Sequence, residues 1–434
     1  MAKYVSITEA LSVVKSNDYI VTGLGAAEGK EFCNNLHTIA DKVKNVTVSN
    51  CLPMGAYEFM VNPAYKQSFT CESWFYTPAL RKAQANGNVA FIPNHLHLAA
   101  TKRLYWREPD IYVGIASMPD SHGYVSLSLS NTYEMRMIEK AKVVILEINP
   151  NAPRTFGDVQ LHVDEVDYLV EVDYAIPEIA DAVPNEKDLA IGKIIADMIK
   201  DGDCIQLGIG GIPNAVAESL YDKKNLGVHT EMLTSGMVKL AKAGVINGKC
   251  KQTHKGKMVA AFAMGTKELY DYINDNPAVA IMDGAYVNDP YTIMQNDNQV
   301  SINTTIEVDI TGQCCSESIG SKQFSGTGGQ SDTACGAQKS KNGKSIIALY
   351  STAMVKNPKT GEREETSKIV CQLKPGAAVS LSRNDIDWLV TEYGAVNLRG
   401  TGLTERAKLI ISVAHPKFRE QLTKEAIALG ILTE

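Results

Sequence analysis

The chain reads as an α/β protein built from two similar open α/β domains, and three observations carry that reading. Val- and Ile-rich stretches alternate with helix-like patterns through 434 residues. A segment near the start recurs in the second half. A glycine-dense turn at Gly208 joins an apolar stretch to a helix start. Candidate strands lie at 18–22, 45–49, 111–115, 142–148, 204–207 and 258–262, and candidate helices at 31–44, 184–200, 214–221 and 404–414. Continuously apolar strands set between helices predict parallel sheets covered on both faces.

The recurrence is specific. Asp18-Tyr19-Ile20-Val21-Thr22-Gly23-Leu24-Gly25 matches Asp203-Cys204-Ile205-Gln206-Leu207-Gly208-Ile209-Gly210. Further along, Asp164-Glu165-Val166-Asp167-Tyr168-Leu169-Val170-Glu171 matches Asn384-Asp385-Ile386-Asp387-Trp388-Leu389-Val390-Thr391. Two matches in the same order predict duplicated domains, with insertions in the second. The joint falls at Val183-Pro184-Asn185-Glu186-Lys187, where a proline and polar residues precede a fresh helix. That places the domains at residues 1–184 and 185–434, each of ordinary domain size.

Composition narrows the function classes. The chain is 44% hydrophobic and 21% charged with a net charge of −6, which is ordinary for a globular protein. That balance argues against a general nucleic-acid surface, which needs concentrated Lys and Arg. The first residues lack the apolar core of a signal peptide, and no apolar run reaches the ~18 residues of a membrane span. Nine scattered cysteines without framework spacing are expected to be reduced thiols in a cytoplasm. No C-x-x-C pair is present, and adjacent Cys314-Cys315 is a poor ligand arrangement, so no metal site is expected.

Three motifs carry the chemistry. In Gly208-Ile209-Gly210-Gly211-Ile212-Pro213 the glycines let backbone approach a ligand closely, and amides at a helix start favour an anion. The same turn serves equally as a plain strand-to-helix connection, and Pro213 stands where a dinucleotide motif has its third glycine. Glu231 follows the plausible strand at 225–230, so it would lie beside that turn at the end of a parallel sheet. A carboxylate there can attack an activated carbonyl and form an anhydride. Isolated glutamates are mostly surface carboxylates or caps, and Glu231 also stands at the distance of a dinucleotide ribose ligand, which keeps a nicotinamide-dependent oxidoreductase open. The third motif, Phe324-Ser325-Gly326-Thr327-Gly328-Gly329-Gln330-Ser331-Asp332, is dense enough in glycine to form an amide-lined pocket for an oxyanion, or else a flexible loop. Asn303, in an alternating stretch just before it, can add a side-chain amide. His95 and His97 show no carboxylate partner nearby in sequence and read as packing residues; His229, two residues from Glu231, reads as structural.

Taken together these residues resemble the family I coenzyme A transferases of the acetyl-CoA hydrolase/transferase group, along nearly the whole chain. The likeness rests on Gly208 to Pro213, on Gly227-Val228-His229-Thr230-Glu231-Met232 and on Ser325-Gly326-Thr327-Gly328-Gly329-Gln330. It continues through Val390-Thr391-Glu392-Tyr393-Gly394-Ala395-Val396-Asn397-Leu398-Arg399-Gly400, Arg406-Ala407 and Ala414-His415-Pro416-Lys417-Phe418-Arg419. The resemblance implies an active site in the cleft between the domains, a homodimer, and no tightly bound cofactor, coenzyme A entering as part of the substrate. It implies that Glu231 is the catalytic residue and becomes a glutamyl-CoA thioester. It assigns CoA contacts to Gly208, Ile209, Gly210, Gly211 and Ile212, an amide donor to Gly329 and a place near the acyl oxygen to Asn303. The family's lysine follows a Pro-Ser-x-Ala segment; here Tyr350-Ser351-Thr352-Ala353 replaces the proline and displaces the lysine to Lys356. The implied reaction exchanges CoA between a short-chain acyl-CoA (4-hydroxybutyryl-, butyryl- or acetyl-CoA) and a free carboxylate such as acetate. Acyl-CoA hydrolysis uses the same residues and stays open, as does a non-catalytic ligand-binding protein on this fold. The first domain is expected to shape the acyl pocket through Phe91-Ile92-Pro93-Asn94-His95 or Met118-Pro119-Asp120-Ser121-His122-Gly123-Tyr124.

Overall fold

Two parallel sheets dominate the computed structural model, which describes residues 2–357 and 360–433. The first sheet comprises β1 (Lys3–Tyr4), β2 (Tyr19–Thr22), β3 (Val46–Asn50), β4 (Phe69–Ser73), β5 (Val89–Phe91), β6 (Ile111–Ala116), β7 (Val143–Ile148) and β9 (Tyr168–Glu171), with β8 (Phe156–Gly157) diverted elsewhere. Its spatial order is β1-β9-β7-β6-β2-β3-β4-β5, and all pairings are parallel. The second contains β10 (Cys204–Leu207), β11 (Gly227–Leu233), β12 (Met258–Ala263), β13 (Val279–Ile281), β14 (Gln299–Thr304), β15 (Lys344–Ala348), β16 (Trp388–Thr391) and β17 (Gly394–Asn397). Its order is β17-β16-β15-β14-β10-β11-β12-β13-β8, parallel except for β17.

In both sheets the chain steps outward from its first long strand (β2-β3-β4-β5; β10-β11-β12-β13). It then returns to that strand's other side and steps away (β6-β7-β9; β14-β15-β16). The reversal between β2 and β6, and between β10 and β14, is the topological switch point at which open α/β sheets form their ligand crevices.

The duplication extends to individual hydrogen bonds. The Asp18 carboxylate accepts the Lys15 amide at 2.7 Å, and Asp203 accepts the Lys200 amide at 2.9 Å. The next position back has positive φ in both copies, Asn17 and Gly202. Their amides donate to Lys44 and Lys224 carbonyls, each at 2.9 Å. At the far side, Asp167 accepts the Val144 amide at 2.9 Å and Asp387 accepts the Ser345 amide at 3.1 Å. Asp18 and Asp203 close a local turn, and Asp167 and Asp387 tie each strand entry to the neighbouring strand; both roles need a short carboxylate, which is why the matched segments stand out of otherwise diverged sequence.

The halves are also sewn together. β8, from the first 184 residues, adds to the edge of the second sheet through Ala280↔Phe156 and Ile281↔Gly157. The Asn131 amide reaches the Ala261 carbonyl at 2.9 Å, and Ala263 reaches Leu129 at 2.8 Å. One buried apolar cluster accordingly runs from Tyr19, Val21 and Leu146 in the first sheet to Val228, Val259 and Val300 in the second. The connecting segment turns into the helix Glu186–Met198 through a capping box at Asn185 and Asp188.

Element boundaries moved in two informative places. The helix expected from residue 214 begins three residues earlier, as Gly211–Glu218. Pro213 sits in its first turn, where a missing N–H removes no intrahelical bond. The strand expected to end at residue 230 runs on as Gly227–Leu233, so Glu231 lies within it. Elsewhere, no described helix is long and apolar enough to cross a membrane, no described group of three or more His, Cys, Asp or Glu is placed to hold a metal, and all nine cysteines are free thiols.

Asp387 is fully buried, and its carboxylate takes both Nε and Nη2 of Arg399, at 3.0 and 2.6 Å. Arg399→Ala leaves that carboxylate without its cation. Because the arginine itself is 46% exposed, the expected loss is about 2 kcal/mol, below the ~3–5 kcal/mol of a fully buried pair. A lowered urea midpoint for the second domain's fluorescence or CD transition checks it.

Candidate active site

A cavity of about 260 Å³ lies where the C-terminal ends of the two sheets meet. From the first half it takes Leu24, Cys51, Leu52, Trp74, Phe75 and Leu96; from the second, Gln206, Gly208, Glu231, Phe262, Asn303 and Gly329. These residues follow β2, β3, β4 and β5 on one side and sit on or after β10, β11, β12 and β14 on the other. The two switch-point crevices thus open onto one space.

Glu231 reaches it because the β10–β11 ladder stops at Ile205↔Val228 while β11 continues to pair with β12 as far as Leu233↔Ala263. The sheet forks, and the fork admits the carboxylate. Its Oε2 accepts from Asn288 Nδ2 at 2.9 Å, and the Gly329 amide also donates to it. Burial raises its pKa to about 7; Asn288 and Gly329 pull it down, and the nearby Asp332 charge pushes it up. A carboxylate held this way is short of water and more basic than usual, two properties of an activated nucleophile.

Asn288 gives no signal in the sequence, since an Asn closing the short helix Gly284–Val287 between Asp283 and Asp289 reads as turn chemistry. Its placement depends on His229. The buried imidazole donates from Nε2 to the Val287 carbonyl at 2.7 Å. Burial, with the charge of Lys251, lowers its pKa to about 3, so the ring is neutral. His229 therefore anchors the helix end that brings Asn288 to Glu231.

The third glycine motif is ordered. Gly328 has φ +55°, and Gly329 caps the helix Gln330–Lys339. A β-carbon at Gly329 would overlap both Glu231 Oε2 and Asn288 Nδ2. Only glycine lets the backbone amide approach the carboxylate this closely.

The remaining residues singled out by sequence are distributed unevenly. Gly208 and Ile209 line the cavity, Ile209 being 45% exposed at its mouth. Gly210, Gly211 and Ile212 are not in the lining: Gly210 supplies φ +116° at the helix start, Gly211 packs on Asp188, and Ile212 is buried beneath. Asn303 lines the cavity, but its Nδ2 is engaged by Thr333 Oγ1 at 3.0 Å and more weakly by Gln206 at 3.4 Å. Lys356 lies apart from them. It stands exposed at the end of an antiparallel hairpin, Thr352–Lys356 with Arg363–Ser367, outside the cavity lining. The strand Lys344–Ala348 ends before Tyr350, and the separate hairpin that follows carries Lys356 to the surface. Of the two first-domain segments expected at the acyl pocket, Asn94 contributes and residues 118–124 do not.

The early copy of the glycine turn has taken a different course. Its Leu24 amide donates to the buried Glu134 carboxylate at 2.9 Å, and the Gly23 and Gly25 amides bond to Val113 and Cys51 carbonyls. The anion at this cradle is the protein's own side chain. Leu24 still lines the cavity, but the amides of this first turn are taken up by the chain itself.

Fold and site together define a two-domain α/β protein with a hydrogen-bonded carboxylate of raised basicity at an interdomain cavity. Sequence-family comparison agrees. Residues 1–181 match the acetyl-CoA hydrolase/transferase N-terminal domain and residues 265–426 the C-terminal domain. The chain belongs to the acetyl-CoA hydrolase/transferase family. It is 41% identical to a succinyl-CoA:cyclohexane-1-carboxylate CoA transferase of Geobacter metallireducens over 98% of this chain and 95% of that one. It is likewise 41% identical to a 4-hydroxybutyrate coenzyme A transferase of Clostridium kluyveri, covering 98% and 97%. Among solved structures, RipA from Yersinia pestis superposes with a TM-score of 0.91 at 35% identity, covering 99% of this chain and 98% of that one.

Gly329→Ala is expected to retain the fold and lower kcat about 100-fold, the scale set by displacing a reacting group by roughly an ångström. Steady-state kinetics with a CD spectrum as folding control checks it.

Proposed function

We propose that this protein is an acyl-CoA:carboxylate CoA-transferase that works through a covalent glutamyl-CoA thioester at Glu231. The observation that carries the reading is the Glu231 carboxylate itself, raised in basicity by burial and held by Asn288 and the Gly329 amide in a cavity between two domains. Relatives aligned over nearly the whole chain bear transferase names.

In the proposed cycle a Glu231 oxygen attacks the thioester carbonyl of an acyl-CoA, the C–S bond breaks, and CoA leaves as the thiolate. The product is a mixed acyl-glutamyl anhydride. The thiolate then attacks the Glu231 carbonyl, the anhydride C–O bond breaks, and the acyl group departs as a free carboxylate. A second carboxylate reverses both steps and leaves as the new acyl-CoA. One thioester is exchanged for another, so no external energy source enters. The amides of the Gly328–Gly329 turn are the donors for the transient oxyanions, a contribution on the order of 3 kcal/mol per donor.

The cavity lies just below the ~300–1,000 Å³ range of drug-sized pockets. It fits an acyl group and its thioester, with the rest of coenzyme A passing out beside exposed Ile209. Coenzyme A is substrate here rather than resident cofactor, and the working form is proposed to be a cytoplasmic homodimer.

Incubation with butyryl-CoA, borohydride reduction and peptide mass spectrometry should place the reduced modification on Glu231. Turnover persisting with Glu231 unmodified, or in Glu231→Gln, would refute the mechanism. Comparing CoA transfer to acetate with thioester loss in its absence separates transferase from hydrolase.

The acid side of the pH profile follows from the same group. Its pKa is raised to about 7, and only the ionised form attacks. Activity should therefore be lost as pH falls through about 7, with kcat/KM for acyl-CoA dropping about tenfold per unit below it.

A further inference from the structure

Asp332 lies three residues past Gly329, in the first turn of the helix Gln330–Lys339, and is only 2% exposed. A carboxylate that deep needs partners. The helix N-terminus supplies part of the compensation, and the other part comes from across the cleft. The His97 amide donates to Asp332 Oδ2 at 3.1 Å, and His97 Nδ1 donates to Oδ1 at 2.8 Å. His95 Nδ1 stands 3.8 Å away. The short turn Leu96–Leu98 that presents His97 belongs to the first domain, and its neighbours Asn94 and Leu96 line the cavity.

The same helix start thus does two opposed things to Glu231. Gly329 donates an amide to it, while Asp332 sets a like charge near it. Every charged or titratable group facing this cluster bears on the balance. Cys51, from the first domain, faces Glu231. Asp289, Lys102 and His95 surround His97, and Cys335 adjoins Asp332. Only His97 bonds Asp332 through both backbone and side chain.

We propose that His97 and Asp332 form an interdomain positioning pair that fixes the Gly328–Gln330 turn against Glu231 and shields the nucleophile from the Asp332 charge when the two domains are closed on each other. The role rests on Glu231 being the nucleophile and assigns no chemistry to the pair itself. Burial opposes the imidazolium, but the bond to Asp332 and the charges of Asp332 and Asp289 outweigh it and raise the His97 pKa. The shield is therefore present below that raised pKa and fades as pH rises through it. It acts on the acidic side of the profile, where Glu231 is otherwise lost to protonation.

The test is the acid limb of kcat/KM for butyryl-CoA in the full-length protein and in Asp332→Asn, His97→Gln and the double variant. Removing the like charge should move the limb to lower pH, by about half a unit. Removing the shield while Asp332 keeps its charge should move it to higher pH by a similar amount. The double variant should track Asp332→Asn alone. Limbs that stay put, or that move in the same direction in both single variants, would overturn the pair's role. Because a buried Asp→Asn change can unfold the helix start, histidine NMR titration of the wild type provides an independent reading. A His97 ring titrating at or below the free-imidazole value overturns the proposal without any variant. Borohydride trapping on each variant keeps the two questions apart: absence of label at Glu231 in the wild type fails the nucleophile assignment, whereas label at Glu231 with unmoved limbs fails only the His97–Asp332 pair.

Discussion

The approach of the Gly329 backbone to the Glu231 carboxylate is the constraint on which the site depends. Nothing larger than hydrogen fits on that α-carbon without striking the carboxylate or Asn288. Each of the three contributors is held by an unrelated piece of the fold. Glu231 is exposed by the fork between β10 and β11, Asn288 is anchored through His229 and the Val287 carbonyl, and Gly329 is fixed as the cap of a helix. The fork and the His229 anchor join residues distant in sequence, so the geometry is a product of the assembled second domain. The first domain closes it, with Gly326 lying against the Trp74 carbonyl and the Tyr76 amide reaching the Ser325 carbonyl at 3.2 Å.

Comparison with the buried carboxylates of the first domain shows what sets Glu231 apart. Burial raises Glu28 to about 8 and Glu147 to about 7, so an elevated pKa alone does not mark a nucleophile. Glu147 accepts from the Phe32 amide at 2.7 Å, the Glu31 amide at 3.1 Å and the Tyr174 hydroxyl at 2.7 Å. Glu28 accepts from Tyr57 and the Met54 amide, and Glu134 ties down the first glycine turn. Those carboxylates act as internal ligands for backbone, saturated and walled in. Glu231 has two donors and an edge on a cavity. Duplication supplied the same sheet twice; in the first copy the turn's amides are occupied by Glu134 and by backbone carbonyls, while in the second Gly208 and Ile209 line the cavity.

The fold was legible because its signals are short-range. Fully buried parallel strands are apolar along their whole length, and the aspartates that close strand entries, Asp18 with Asp203 and Asp167 with Asp387, survived as matching letters. Glu231, Gly208 and Gly329 were legible because glycine density and a family pattern mark them. Asn288, Asp332 and the strand Phe156–Gly157 were not. Asn288 looks like any helix C-cap, Asp332 like any acidic residue in a first helical turn, and two residues carry no periodicity at all. His97 was read as packing because its carboxylate lies 235 positions away. Lys356 stands outside the cavity lining, since a linear offset from a motif says nothing about which way a hairpin carries the side chain.

The chemistry of the lining fits the demands of an enzyme-bound thioester. Among the described residues that line the cavity there is no Lys, Arg or His. A lysine beside Glu231 would pair with it and lower its basicity, and its amine would be a competing nucleophile toward the thioester, giving an amide that the cycle could not reverse. Backbone amides stabilise an oxyanion without either hazard. The one thiol among the described lining residues is Cys51, whose thiolate would divert the acyl group by exchange. Burial, followed by the charges of Glu231 and Glu134, holds that thiol well above its usual range, so it stays protonated. Under the proposed mechanism the ionised glutamate thus helps to silence the group that would compete with it, most strongly in the state that attacks.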